Sequence, residues 1–166
     1  MALHIVIDGY NVIGSEQGLR GDLEAKRAAL LSELKRYQAQ KDFDITVVFD
    51  GWRAGRLEQM EQQVGNVKVL FSRYGEKADH VIERLAREMG ARCIVVTSDR
   101  ALRRSVETAS AVAIFVQEFL RKVRGDAAGA DDCDSDDAPA QRNPRRGNPR
   151  KLSKAERLRR DRLKKL

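Results

Sequence analysis

Cysteine, histidine and long apolar runs are scarce in this chain, and each scarcity excludes something. Two cysteines in 166 residues cannot build a disulfide scaffold, and neither Cys93 nor Cys133 has a partner at metal-ligand spacing. Cys93 falls inside an apolar run and reads as a small core residue. No apolar stretch approaches the ~20 residues needed to span a bilayer. The N-terminus enters a strand directly, with no basic leader or cleavage site, so a cytoplasmic protein with no membrane partner is expected. The β-branched and aromatic residues concentrate before Gly125, which is enough chain for a core without disulfides or structural metal.

What the chain does have is charge. The net formal charge is +7 and the pI about 9.7, a balance that suits an anionic partner such as nucleic acid. The distribution is uneven. Asp126 to Asp137 holds six aspartates and no basic residue, whereas from Ala138 onward twelve Lys or Arg face only Glu156 and Asp161. Three units follow: a folded domain over 1–125, an acidic flexible linker over 126–137 and a flexible basic tail over 138–166. Ser153-Lys154-Ala155-Glu156 fits a capping box, so the spacing predicts a short helix over 154–166. At that length it is marginal alone in water and would firm up only on a partner. A basic tail behind an acidic tether reads as an arm for RNA, including ribosomal RNA, and through it for the ribosome. A merely solubilising extension is the plainer alternative.

Within the domain, apolar runs alternate with amphipathic segments. Strands are expected at His4–Asp8, Asp44–Asp50, Val67–Phe71, Arg92–Thr97 and Ala111–Phe115. Helices are expected at Leu23–Gln40, Lys77–Met89, Asp99–Thr108 and Val116–Arg124, with Asp22 as an N-cap and Gly90 and Gly125 as stops. Val12–Gly21 reads as a glycine-punctuated loop, and Arg56–Gln63 as a short, polar, shallowly packed helix suited to a flap. This alternation implies βαβ units and a three-layer α/β/α sandwich around a mostly parallel sheet.

In such sheets ligands collect outside the carboxyl ends of the strands. Asp8, Asp50 and Asp99 end three apolar strands, and Asp79 lies in the first turn of the helix after the Val67–Phe71 strand. A lone strand-terminal Asp is more often a turn or cap residue. Four at corresponding ends point to a shared site, and gathered carboxylates raise one another's pKa unless a cation joins them. Oxygen ligands without His or Cys indicate Mg²⁺ or Mn²⁺ rather than zinc. One or two such ions would orient a water and stabilise the leaving oxygen in phosphodiester hydrolysis. Asn11 is a supporting polar residue, and Thr97 and Ser98 offer hydroxyls and backbone N–H groups to a phosphate.

The segments Val6-Ile7-Asp8-Gly9-Tyr10-Asn11-Val12-Ile13-Gly14, Val47-Val48-Phe49-Asp50, Ala78-Asp79-His80-Val81-Ile82-Glu83 and Val95-Val96-Thr97-Ser98-Asp99-Arg100 resemble the YacP-like branch of the NYN domains, within the PIN-like nuclease superfamily. The resemblance covers about residues 1–125 and leaves out the tail. It implies a PIN-like fold and a Mg²⁺- or Mn²⁺-dependent endoribonuclease. Asp8, Asp50, Asp79 and Asp99 match the metal-binding acids, with Asn11 in support. His80 stands where a small residue is expected, which bears on access to the site.

Around that site, Tyr10 and Trp52 follow strand ends and are candidates to stack on unpaired bases. Arg53, Arg56, Arg73, Arg100, Arg103 and Arg104 are candidates to hold the phosphate backbone. Glu76 reads either as an outer ligand or as an ordinary acid near a helix start. Glu83 is expected to pair with Arg87, and His4 to be a packed strand histidine. Two other functions compete with the nuclease. A catalytically weak RNA-binding adaptor on the same fold would be favoured by loss of an acid, and none of the four is lost. An aspartate-nucleophile phosphatase wants a second acid two residues after the first, where this chain has Tyr10.

Overall fold

The computed structural model describes residues 2–55, 57–125 and 153–166. The acidic stretch, Cys133, Arg56 and tail residues 138–152 lie outside them. The order is β1 (Leu3–Asp8), α1 (Gly9–Gln17), α2 (Leu23–Gln38), β2 (Phe43–Phe49), β3 (Met60–Val64), β4 (Val67–Phe71), α3 (Ala78–Met89), a 3-10 turn (Gly90–Arg92), β5 (Cys93–Val96), α4 (Arg100–Thr108), β6 (Val112–Ile114), α5 (Val116–Arg124) and α6 (Lys154–Lys165). The six strands form one sheet in the order β3-β4-β2-β1-β5-β6. All pairs are parallel except β3 with β4. The mostly parallel α/β/α architecture read from the sequence is the one observed.

The central strands are apolar throughout because both of their faces are covered. Ile5, Ile7, Val47, Phe49, Val69 and Val96 pack on one side with Leu30 and Leu34 of α2 and Phe119 of α5. Val6, Val48, Leu70 and Val95 pack on the other with Val81 and Ile82 of α3 and Leu102 and Val106 of α4. Cys93 is fully buried in this second layer, and burial pushes its thiol up to about 12. His4 is a packed strand residue, sharing a 2.7 Å hydrogen bond with Thr46 Oγ1. Burial lowers its pKa. No helix among the described residues is long and apolar enough to cross a membrane.

Two local expectations are overturned. The predicted Val12–Gly21 loop is mostly helix, because α1 starts directly after β1 and runs to Gln17. Its glycines lower intrinsic helix propensity, but Val12 and Ile13 are buried and Asp8 caps the first turn, so packing overrides propensity. The second correction concerns Arg56–Gln63, expected as a helical flap. Residues 60–64 are instead an edge strand, antiparallel to β4 with Val64 opposite Val67. Gly65, at φ +62, and Asn66 make the two-residue hairpin turn. The strand is polar and exposed, which hides its period and blunts the sheet edge. Lys68 and Glu61 pair across it at 2.9 Å.

The opposite edge is closed by α6, which lies against β6. Ser153 Oγ accepts from Glu156 N–H, and the Glu156 carboxylate accepts from Ser153 N–H, so the predicted capping box forms. The partner that firms this helix is the domain itself. Arg159 pairs with Glu118 of α5 and stacks 4.7 Å over the Phe115 ring. Arg162 donates to the Ala91 carbonyl at 2.8 Å. The Tyr37 hydroxyl donates to the Leu166 carbonyl at 2.6 Å, and Leu166 joins the core.

Gly9 shows what the start of α1 demands. A Cβ there would sit 2.2 Å from Phe49 Cε1, so helix and strand meet through bare backbone. Gly9→Ala is expected to destabilise the fold by about 1–3 kcal/mol through overpacking, measured by urea unfolding. The same substitution in a Phe49→Leu background should cost less, because the clashing ring is gone.

Candidate functional site

The four acids arrive at the carboxyl edge of the sheet by three routes. Asp8 ends β1 and Asp50 follows β2. Asp79 enters from the first turn of α3, and Asp99 precedes α4. Three of them are also helix caps. Asp8 caps α1, accepting from Asn11 N–H at 3.4 Å. Asp99 caps α4, accepting from Leu102 N–H at 3.0 Å. Lys77, at the N-cap of α3, makes no side-chain cap, and Asp50 supplies one from β2 by accepting from Ala78 N–H at 2.8 Å. The cap reading therefore holds for three of the same residues that the sequence offers as site candidates.

The electrostatics follow from that crowding. Asp8 is buried, 8% exposed, and its carboxyl is pushed up to about 7, first by burial and then by Asp79 and Asp50. The Asn11 N–H and a 3.4 Å hydrogen bond from Thr97 Oγ1 work the other way. Asp79 is also raised, by burial and then by Asp99 and Asp50. Among the described residues none of the four forms an ion pair. The donor chemistry, carboxylate oxygens with no His or Cys and a deficit of positive charge, fits a hard divalent cation. As posed, no group of three or more His, Cys, Asp or Glu among the described residues forms a ready cage.

The supporting residues divide. Asn11 Oδ1 accepts from Ser98 N–H at 2.8 Å, joining α1 to the β5–α4 turn. Asp99 N–H donates to Thr97 Oγ1 at 3.1 Å. The backbone N–H groups expected to greet a phosphate here are thus already engaged, and Ser98 is left with its exposed side chain for that role. Tyr10 is a correction. It is 5% exposed, packs edge-on against Phe49 at 5.1 Å and accepts a hydrogen bond from Arg27. A ring held in the core cannot stack on a base. Trp52, by contrast, is 65% exposed.

Arg53, Arg73, Arg100 and Arg104 are all exposed on the loops and helix starts of this edge. Arg103 instead lies 3.6 Å over the Phe115 ring. Glu76 is held by Arg84 at 3.1 Å and Arg73 at 3.7 Å, and Glu83 pairs with Arg87 at 4.0 Å. His80 is exposed and lines a shallow depression with Arg73, Tyr74, Gly75 and Glu76. Sequence reasoning missed Ser72. It is fully buried, accepts from Gly51 N–H at 3.1 Å and donates to the Glu76 carbonyl at 2.7 Å. It therefore locks the loop carrying Asp50 to the loop leading into α3. A serine ending an apolar strand was the only available signal.

A family model for the YacP-like NYN domain matches residues 5–166. The chain belongs to that family. The NYN domains are nuclease-like members of the PIN-like superfamily. The motifs place the resemblance in the first 125 residues, whereas the family match continues through α6. The YacP protein of Bacillus subtilis is 30% identical over 126 residues, 72% of this chain and 74% of that protein. The crystal structure of Rae1 (YacP) from Bacillus subtilis superposes with TM-score 0.62 at 31% identity, covering 75% of each chain. A single-residue variant of Rae1 gives TM-score 0.63 at 26% identity, covering 74% of this chain and 76% of that one.

The charge state of this NYN site makes a stability prediction. Asp8 is raised on folding, so between about pH 4 and 7 the folded state keeps a proton that the unfolded chain has lost. Stability without divalent ions therefore falls as pH rises through that window, by an amount on the order of a few kcal/mol. Asp8→Asn removes this loss and still caps α1. In EDTA, its melting temperature relative to wild type should rise between pH 4 and pH 8, as followed by circular dichroism.

Proposed function

We propose that the chain is a Mg²⁺- or Mn²⁺-dependent endoribonuclease that hydrolyses phosphodiester bonds in single-stranded RNA, including RNA carried by the ribosome. The observation that supports this most is the carboxyl edge. Two of its four aspartates are driven toward protonation by burial and by the other acids, in a member of a nuclease superfamily. Asp8, Asp50, Asp79 and Asp99 would hold the ion. A bound Mg²⁺ or Mn²⁺ would supply the positive charge that phosphate oxygens need as the bond breaks.

The other parts are the chain's own. Asn11, oriented through Ser98 N–H, keeps its amide NH₂ to donate to a phosphate oxygen. The exposed guanidinium groups of Arg53, Arg73, Arg100 and Arg104 hold the backbone on either side and fix its register. On α6, Lys154, Arg157, Arg160 and Lys164 all face solvent. They recur at nearly every turn and form a basic stripe for structured RNA, in keeping with a ribosomal partner. Burial and the neighbouring acids hold the Asp8 carboxyl toward its protonated form, so a cation held there would favour its carboxylate.

One observation favours a second reading, an RNA-binding adaptor with little catalysis. Three of the four carboxylates act as helix caps, and the four form no cage among the described residues. Incubating end-labelled single-stranded RNA with Mn²⁺, Mg²⁺ or EDTA separates the two. The nuclease should cut with either ion, stop in EDTA, and fall to the EDTA background in Asp8→Asn while RNA binding persists. Equal binding by both proteins with no cutting, on free RNA and on ribosome-bound messages alike, would establish the adaptor.

A further inference from the structure

The large apolar side chains that this fold leaves exposed are not scattered. Among the described residues, four of the five, Trp52, Leu57, Met60 and Tyr74, lie between the end of β2 and the start of α3, and the fifth, Leu158, is on α6. The two aromatics hold equivalent places. Phe49 is opposite Phe71 in the parallel β2–β4 pair, and Trp52 and Tyr74 each follow three residues later. Their loops are tied together. Ser72 N–H donates to the Phe49 carbonyl at 3.0 Å, and Gly51 N–H donates to Ser72 Oγ at 3.1 Å. Tyr74 N–H donates to the Leu57 carbonyl at 3.0 Å. Each ring also has an exposed arginine as its chain neighbour, Arg53 beside Trp52 and Arg73 beside Tyr74. Asp50 stands two residues before Trp52, so the corner adjoins the acidic edge.

We propose that Trp52 and Tyr74 form a stacking platform for unpaired bases of single-stranded RNA, with Arg53 and Arg73 on the flanking phosphates. The proposal rests on the RNA reading above and deepens it by naming where the strand enters. Every base has a π face, so an aromatic platform accepts any sequence. A duplex keeps its bases paired and stacked on one another, which makes the platform selective for single strands. An apolar corner alone would suit a protein partner as well. Two arginines interleaved with two rings, beside a phosphate-processing edge, favour the polyanion. Ser72 and the Tyr74–Leu57 backbone hydrogen bond tie the two loops together, so less of their backbone is left to order on binding.

Trp52 is the sole tryptophan, so its emission reports directly on the platform. The full chain would be titrated in EDTA with an unstructured oligoribonucleotide and with a duplex of the same sequence. The single strand should quench Trp52, and the duplex should leave it largely unchanged. Trp52→Ala and Tyr74→Ala should each weaken single-strand binding about tenfold, and Trp52→Phe should hold nearly wild-type affinity because a ring remains. Both side chains are exposed, and unchanged circular dichroism would verify that the variants fold. Unchanged emission, equal quenching by the duplex, or alanine variants that bind as well as wild type would each overturn the platform. Cleavage is read separately. Quenching without cutting of free RNA or ribosome-bound messages under any metal would keep the platform and remove the nuclease reading, whereas cutting without quenching would do the reverse.

Discussion

Like charges at close quarters are the constraint around which this protein is arranged. Four aspartates on one sheet edge repel one another, and burial of Asp8 makes its own charge costlier still. The fold offsets part of that cost with helix N-termini, whose unpaired N–H groups and partial positive charge are the natural counterpart of a carboxylate. Asp8 meets α1, Asp99 meets α4, and Asp50 reaches from β2 to the start of α3. The βαβ order aims helix starts at the same edge where strands deliver their last residues. Architecture and electrostatics are two aspects of one arrangement, and the unmet remainder of the repulsion is what a divalent ion would relieve.

The second organising feature is the way strand-end loops are cross-linked by short polar side chains. Asn11 ties α1 to the β5–α4 turn through Ser98 N–H, and Ser72 ties the Asp50 loop to the loop before α3. Thr97 does both jobs at once, donating toward Asp8 and accepting from Asp99 N–H. The Asn11–Ser98, Ser72–Gly51 and Thr97–Asp8 contacts join segments far apart in sequence. Together they tie the strand-end loops that carry the acids into one connected edge.

Much of this was legible in the sequence. Doubly buried strands such as Ile45–Phe49 announce themselves as continuous apolar runs, and the recurrence of aspartate after them marks the site edge. The errors came where local pattern and tertiary context disagree. Val12–Gly21 read as loop because its glycines break a helical pattern locally, whereas α1 is held by burial of Val12 and Ile13 and by the Asp8 cap. The mostly polar strand β3 has no hydrophobic period to read, because of its side chains only Val64 packs on the core. The Gly65-Asn66 turn was the signal that could have found it. Tyr10 was misassigned because an aromatic at a strand end looks the same in sequence whether it faces solvent or Phe49. The docking of α6 was invisible, since its contacts with Tyr37, Ala91 and Glu118 lie 41 or more residues away.

The double employment of Asp8 has an evolutionary consequence. An asparagine at that position would cap α1 as well as the acid does and would relieve the repulsion from Asp79 and Asp50. Aspartate and asparagine codons differ at a single base. On the proposed nuclease reading, the chain lies one mutational step from a fold that is at least as stable, still basic, and catalytically silent. On that reading, selection to keep the acid would have to come from the reaction, because the cap it supplies is one that asparagine would supply as well.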